Sequence, residues 1–374
     1  MEKSFKKYNI NLYFISLSFL FILFTTQNFN LEQTRNLGGS DGFDYYLIAK
    51  EAPQVAKGIQ FIKSERFFFP YFIGLISKLF SIEILLLFKF FSIILCISLI
   101  YFINKTLILI KCSENNRLTL ILLIIFNPYI LRYYLALPTL INDLIFLNAS
   151  LLIIMGLVSF RIYLFIGIGI GILVRQNILA FIISSYSIFI LSFIFKKFSK
   201  FLVSKDIILI SGITLILYAL NFSYASMAET TVNADDLYYV TIFGLFVTDY
   251  NLKQLLIFIL FPLLTFGPLI YLYISNKLIY EKFFNSLNLF IILTAFILIM
   301  QPLLGGPVIT GKNFIRLANY SYPILLISFS IISNFNIKKN KLFINVIYFI
   351  FLIVWSFHPT YSIINIFEFL KFNI

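Results

Sequence analysis

Apolar runs long enough to cross a lipid bilayer recur from one end of this 374-residue chain to the other. A segment in hydrocarbon must close its backbone hydrogen bonds internally, so such runs admit helices and little else. The composition agrees: 60% of residues are hydrophobic and 12% charged, against about a quarter charged in a soluble domain. The polar stretches are too short to bury a core of their own. The expected fold is therefore all-α, a polytopic transmembrane helical bundle, with residues 1–374 as a single integral membrane domain.

The formal charge of +13 would suggest nucleic acid in a soluble protein. In a membrane chain it reads as loop topology under the positive-inside rule, with membrane lipids and not nucleic acid as the partner. Cys96 lies in an apolar run and Cys112 in a basic loop, which argues against a disulfide or a thiolate metal site. His358 is the sole histidine, which argues against a His-clustered metal centre.

Lys3, Lys6 and Lys7 precede the apolar run Tyr8 to Phe24, and no small-residue cleavage site follows. This reads as an uncleaved first helix with a cytoplasmic N-terminus. The first external loop then covers about residues 25–83. Within it, Tyr45 to Ile62 interleaves apolar residues with Lys50, Glu51, Lys57 and Lys63, the pattern of an interfacial helix that Pro53 bends or restarts. Phe67 to Phe80 is short for a span and carries Lys78, so it reads as a second interfacial or re-entrant helix. Later spans are expected near 84–103, 118–131, 144–158, 162–174, 178–195, 207–222, 255–274, 287–300, 319–335 and 342–357, about eleven with the first helix. This parity puts the clusters Lys196, Lys197, Lys200, Lys205 and Lys338, Lys339, Lys341 inside, and Asp41, Asp44, Asp143, Glu229, Asp235, Asp236 and Asp249 outside.

Charge bias leaves Arg66, Arg132, Arg175, Lys312 and Arg316 unexplained on the outer side, each near a helix end. They read as anion binders or as anchors snorkelling to lipid headgroups. The stretch Gly38 to Pro70 concentrates polar chemistry: Asp41 and Asp44 in SDGFDYY, then Arg66 before an aromatic run closed by Pro70. SDGFD is either a turn with Asp44 capping a helix from Tyr45, or a carboxylate site holding a general base. Asp143, after Pro138, is either a helix cap or a second acidic position. Arg175 and Gln176 break an apolar hairpin, and Lys312, Asn313 and Arg316 stand between glycines and Pro323. Tyr45, Tyr46, Tyr133 and Tyr134 suit either sugar stacking or an interfacial aromatic belt.

In this order the motifs resemble the GT-C superfamily of membrane glycosyltransferases. Asp41–Gly42–Phe43–Asp44–Tyr45–Tyr46 is similar to the family's acidic motif in the first external loop. Arg66–Phe67–Phe68–Phe69–Pro70 is similar to the start of its second juxtamembrane helix, and Asp143 to its second acidic position. Arg175–Gln176 and Asn313–Phe314–Ile315–Arg316 resemble outward positions that contact the donor phosphate. The resemblance implies a GT-C-like bundle with two juxtamembrane helices. It also implies a hexosyl or pentosyl transferase (mannosyltransferase-like) that draws on a polyprenyl-phosphate-linked sugar, with a glycan, lipid or protein acceptor. The site would lie on the external or periplasmic face, in a bacterial inner membrane, and transfer would invert in one displacement. Asp41 is the expected base, being next to Gly42, with Asp44 as second catalytic candidate; Tyr45, Tyr46, Arg66, Arg132, Asp143, Arg175, Gln176, Lys312, Asn313 and Arg316 would bind substrate. Two departures stand out: no adjacent acidic pair in the first loop, and no large soluble C-terminal domain. No cofactor is required outright; a divalent cation, Mg or Mn, on a pyrophosphate-like substrate is the one candidate. The rival functions are a surface-polysaccharide polymerase, a lipid-linked glycan flippase and a structural subunit.

Overall fold

A computed structural model describes residues 2–26, 41–195, 201–228, 246, 249, 251–276, 278–306, 313–333 and 342–356. Glu229, Asp235, Asp236, Lys312, His358 and the clusters 196–200 and 338–341 lie outside the described residues. In chain order the helices are α1 (Glu2–Thr25), α2 (Asp41–Glu51), α3 (Phe61–Ser64), α4 (Phe68–Phe80), α5 (Ile84–Leu109), α6 (Glu114–Ile125) and α7 (Leu131–Ala136). They continue as α8 (Ile141–Val158), α9 (Arg161–Val174), α10 (Leu179–Ile194), α11 (Ser204–Met227), α12 (Leu252–Ser275) and α13 (Tyr280–Phe283). The last are α14 (Ser286–Leu304), α15 (Asn313–Ala318), α16 (Tyr322–Ile332) and α17 (Leu342–Ser356). Short 3₁₀ turns at Pro138–Leu140, Gln176–Ile178 and Asn319–Ser321 lead directly into α8, α10 and α16. Among the described residues the one β-type pairing is an isolated bridge between Leu278 and Ser333.

Six helical stretches are long and apolar enough to cross a membrane: 84–109, 138–158, 176–194, 204–227, 286–304 and 314–332. By length and composition the chain is thus an integral membrane protein with an all-helical bundle. Exposed large side chains such as Leu86, Ile97, Phe193, Ile208, Leu215 and Phe296 fit a surface that faces lipid.

The hub is α8, buried along nearly its whole length. Small residues let α9 press against it: a Cβ on Gly167 would lie 2.8 Å from the Ala149 carbonyl oxygen and 2.9 Å from the Ile153 nitrogen. Close backbone approach of this kind replaces the hydrophobic drive that lipid does not supply. On the other flank Ser92 donates to the Pro138 carbonyl at 3.1 Å and Ser98 to Asn148 at 2.5 Å. Both sequence positions rise together, so α5 and α8 run parallel and start at the same end of the bundle.

Helix α4 is shorter than the six long stretches. Its 13 residues span about 20 Å, short of the roughly 30 Å of a bilayer core. It packs on α2, where Gly74 sits against the Ala49 carbonyl with no room for a Cβ.

Local boundaries differ from the sequence reading in three places. Helix α2 begins at Asp41, not Tyr45, so both aspartates lie in its first turn and Asp44 is not a cap. The expected amphipathic helix over 45–62 stops at Glu51, ahead of Pro53, which cannot continue a helix interior. Asp143 is likewise not a cap: Pro138 opens a 3₁₀ turn, the cap position is Leu140, and Asp143 falls inside the first turn of α8.

Candidate functional site: a buried ion cluster

Five segments spread along the sequence bring charged side chains to one point. The start of α2 supplies Asp41 and Asp44, and α3 with the following turn supplies Lys63, Glu65 and Arg66. The head of α8 supplies Asn142 and Asp143, the α9–α10 break supplies Arg175 and Gln176, and α15 supplies Arg316. The segment from Ala56 to Phe67 is held against the end of α11. The Ala56 amide donates to the Tyr224 hydroxyl at 3.4 Å, Gly58 to the Ala228 carbonyl at 3.2 Å, and Phe67 stacks on Tyr224 with centroids 3.8 Å apart.

Asp41 is the meeting point. Its Oδ2 lies 2.9 Å from Arg316 Nη2, 3.5 Å from Arg175 Nη2 and 3.9 Å from Arg66 Nη1. Its Oδ1 lies 3.6 Å from Lys63 Nζ, which also reaches Asp44 Oδ2 at 2.7 Å. Asp143 grips the same arginines from the buried side. Arg175 donates to its Oδ1 through Nε at 2.6 Å and, closer still, through Nη2. Arg316 Nε stands 3.6 Å from its Oδ2. The Arg175 guanidinium also lies over the Tyr320 ring, 5.8 Å from the centroid.

A second tier fixes Arg66. Its Nε donates to Gln176 Oε1 at 2.8 Å and its Nη1 to the Tyr45 hydroxyl at 3.3 Å. Its carbonyl accepts from Asn142 at 2.8 Å. Gln176 in turn donates to Glu65 Oε2 at 2.6 Å. Guanidinium groups held this way are already aimed, which is what recognition of an oxyanion requires.

The two aspartates of α2 are pushed in opposite directions. Burial raises the Asp41 carboxyl, but Arg316, Arg175, Lys63 and Arg66 together outweigh it and hold the group well below the usual carboxylate range. For Asp44 burial prevails over Lys63, and its carboxyl is pushed up. Opposed environments for neighbouring carboxylates are how acid and base roles become separated.

Of the residues expected at the site, Asp41, Asp44, Tyr45, Arg66, Asp143, Arg175, Gln176 and Arg316 are brought together. Arg132 is not: it is fully buried and donates to the Thr25 carbonyl at 2.9 Å and to Ser356 at 3.4 Å, tying α1 to α17. Tyr46 is half-buried on α2. Tyr133 and Tyr134 are buried and packed edge to face, as core rather than as an exposed belt. Asn313 opens α15, and Lys312 lies outside the described residues. Sequence reasoning missed Lys63, Glu65, Asn142 and Tyr320. Lys63 and Arg66 are three apart, a spacing that joins one helical face, and Asn142 adjoins Asp143 in an otherwise apolar run.

A divalent cation does not fit this cluster. Its carboxylates face Lys63, Arg66, Arg175 and Arg316, an arrangement that attracts anions and repels a second positive centre. Among the described residues no group of three or more His, Cys, Asp or Glu side chains could hold a metal ion.

Fold and site together define an integral membrane protein with a guanidinium-rich ion cluster at one end of its helical bundle. No protein-family model, no curated protein and no solved structure matches the chain.

Proposed function

We propose that this chain is a membrane glycosyltransferase of the GT-C type, moving a sugar from a polyprenyl-phosphate donor to a glycan, lipid or protein acceptor. One observation carries the reading: Asp41, Arg66, Asp143, Arg175 and Arg316 share one cluster although Asp41 and Arg316 are 275 positions apart. Lipid anchors have no reason to converge, whereas transfer from a phosphate needs a base and several cations at one point. In that reading the acceptor oxygen attacks the anomeric carbon, its proton passes to a carboxylate of α2, and the bond to the phosphate oxygen breaks. The charge released on the phosphate falls among Arg66, Arg175 and Arg316. Topology belongs to the same proposal: about eleven crossings, the N-terminus in the cytoplasm and the cluster on the outer face of a bacterial inner membrane.

Transport finds less support. A flippase needs charged groups along a central path, and Lys89 and Lys105, the two lysines of the long α5 helix, are exposed on the bundle surface. A polymerase uses similar external arginines and differs in product length.

The test uses purified protein in nanodiscs with a panel of polyprenyl-phosphate hexoses and pentoses, reading the release of free polyprenyl phosphate. Asp41→Asn is expected to lower release by at least about a hundredfold, the usual weight of a positioned base, with the protein still monodisperse. Unchanged release in both Asp41→Asn and Asp44→Asn would remove the transferase reading. Products lengthened by many sugars would turn it toward a polymerase.

A further inference from the structure

Asp41 is an unusual candidate for a base, because in the free protein its carboxylate is already fully engaged. Three guanidinium groups face one of its oxygens and an ammonium faces the other. A carboxylate so placed occupies the ground that a phosphate oxygen would take. The cavity bordering the cluster on its Gln176 side, lined by Glu65, Arg175, Gln176, Leu179, Tyr218 and Asn221, measures about 30 Å³, room for water and not for a phosphate. A phosphate that pairs with the three guanidinium groups at Asp41 Oδ2 takes that oxygen's place.

The two carboxylates that hold the arginines are not equally fixed. Asp143 is fully buried inside the first turn of α8, and its side chain has no exposure. Asp41 is the first residue of α2 and its side chain keeps 15% exposure. One anchors the guanidinium groups from below, and the other sits on the open side. Four cations (Lys63, Arg66, Arg175, Arg316) meet three carboxylates (Asp41, Asp44, Asp143) directly, with Glu65 behind Gln176 as a fourth, so charge is balanced and an arriving anion must replace one of its own sign. A sugar phosphodiester of a polyprenol carries one negative charge.

We infer that Asp41 is the internal ligand of the anion site, and that the donor's phosphate displaces it from Arg66, Arg175 and Arg316 and so frees it to act as base. The inference rests on the transferase reading and adds an order to it: donor first, acceptor second. Without donor the base is sequestered, so water is not activated in an empty site. After transfer the leaving polyprenyl phosphate carries a further negative charge and takes the proton from Asp41; the carboxylate so restored returns to the arginines, competes with the phosphate monoanion and promotes release.

The consequence runs against the usual expectation for a catalytic residue. Asp41→Asn removes the competitor, so it should bind polyprenyl phosphate more tightly while losing turnover. The probe is a radiolabelled polyprenyl monophosphate without sugar, titrated into protein in phosphatidylcholine nanodiscs. Asp41→Asn is expected to tighten binding by roughly tenfold, the weight of one charge-assisted hydrogen bond released. Asp143→Asn should weaken binding, because the arginines lose their anchor. Equal or weaker binding by Asp41→Asn, with wild type binding well, overturns the inference and leaves the transferase reading standing. No binding by wild type or by any variant overturns the transferase reading itself. Phosphatidylglycerol and inorganic phosphate are titrated in parallel. Tightening seen with those ligands and not with polyprenyl phosphate overturns the assignment of the donor as the displacing anion. A measurement on wild type covers the case in which the variants do not fold. Carbodiimide coupling at Asp41, read by peptide mass spectrometry, should rise when polyprenyl phosphate is added, and an unchanged or falling yield overturns the inference.

Discussion

At the scale of residues, the site is a set of charges that stabilise one another out of water. Breaking a buried ion pair by removing one partner costs about 3–5 kcal/mol, since the survivor is stranded. Arg175→Ala, which leaves Asp143 with Arg316 at 3.6 Å, should therefore lower both the melting temperature in detergent and any transfer activity. Arg175→Lys keeps the charge but not the double contact through Nε and Nη2, and it should fall between wild type and Ala in both measurements. A ranking with Lys as damaging as Ala would mean that geometry outweighs charge here. The α2 aspartates give a pH signature. Asp41 is held below an unfolded value near 3.9, so the unfolded chain binds more protons. Its stabilising contribution is complete above that value and is lost as pH falls through the lower folded one. Asp44 is raised by burial, so its contribution has the opposite sign and stability gains as pH falls through its folded value. Melting scans from pH 7 down to pH 3 should show Asp44→Asn with a weaker gain on mild acidification than wild type, and Asp41→Asn with a weaker loss at the acid end. Residue-level legibility was uneven for a physical reason. Arg66, Arg175 and Arg316 stood out because topology did not account for them, but Arg132 looked the same. Sequence gives the depth of a side chain along the membrane normal and not its direction around the bundle. Lys63 escaped notice because a cation in an amphipathic segment reads as solvated. It is buried here only because α2 ends at Glu51 and the chain turns back onto its own aspartates.

At the scale of elements, the α8–α9 hairpin sets the site's precision. Gly167 lies where any Cβ meets backbone atoms of α8, and Gly171 leaves space for the Ile178 side chain below Arg175. Gly167→Val should push the helices apart and shift Arg175 off Asp143. A loss of about 1–3 kcal/mol is expected from overpacking, seen as a lower melting temperature and weaker phosphate binding, with no charged group altered. Normal binding by a folded Gly167→Val protein would show that the hairpin tolerates more slack than its packing suggests. Helix extents were largely legible, because apolar runs ended by polar or proline residues mark them. The expected 162–174 and 342–357 correspond to Arg161–Val174 and Leu342–Ser356. The run 118–131 was cut short at Ile125 because Asn127 and Pro128 close the helix, with Asn127 bonding both Asn319 and the Tyr129 amide.

At the scale of the whole molecule, the proposed topology, with α4 not crossing, ties every later loop to a side. With α5 starting at the site end, Ile110–Ser113, Lys282 and Ser333 gather at the opposite end around a cavity of about 710 Å³. A membrane-impermeant maleimide should then label Lys57→Cys in intact cells, in a background with Cys96 and Cys112 replaced. Lys282→Cys should be labelled only after permeabilisation, and the reverse pattern would invert the proposed orientation. The three 3₁₀ turns have a mechanical meaning at this scale. Each joins a span to a segment beside the cluster, next to Asp143, Arg175 and Arg316 in turn. Three residues rise about 6 Å as 3₁₀ helix and about 4.5 Å as α-helix. Arg175 and Arg316 precede their turns, so each stands about 1.5 Å farther above its span than an unbroken α-helix would hold it. Asp143 follows its turn and rides on α8 itself, so the cluster is a vice with one fixed jaw in the membrane bundle and two jaws raised off it.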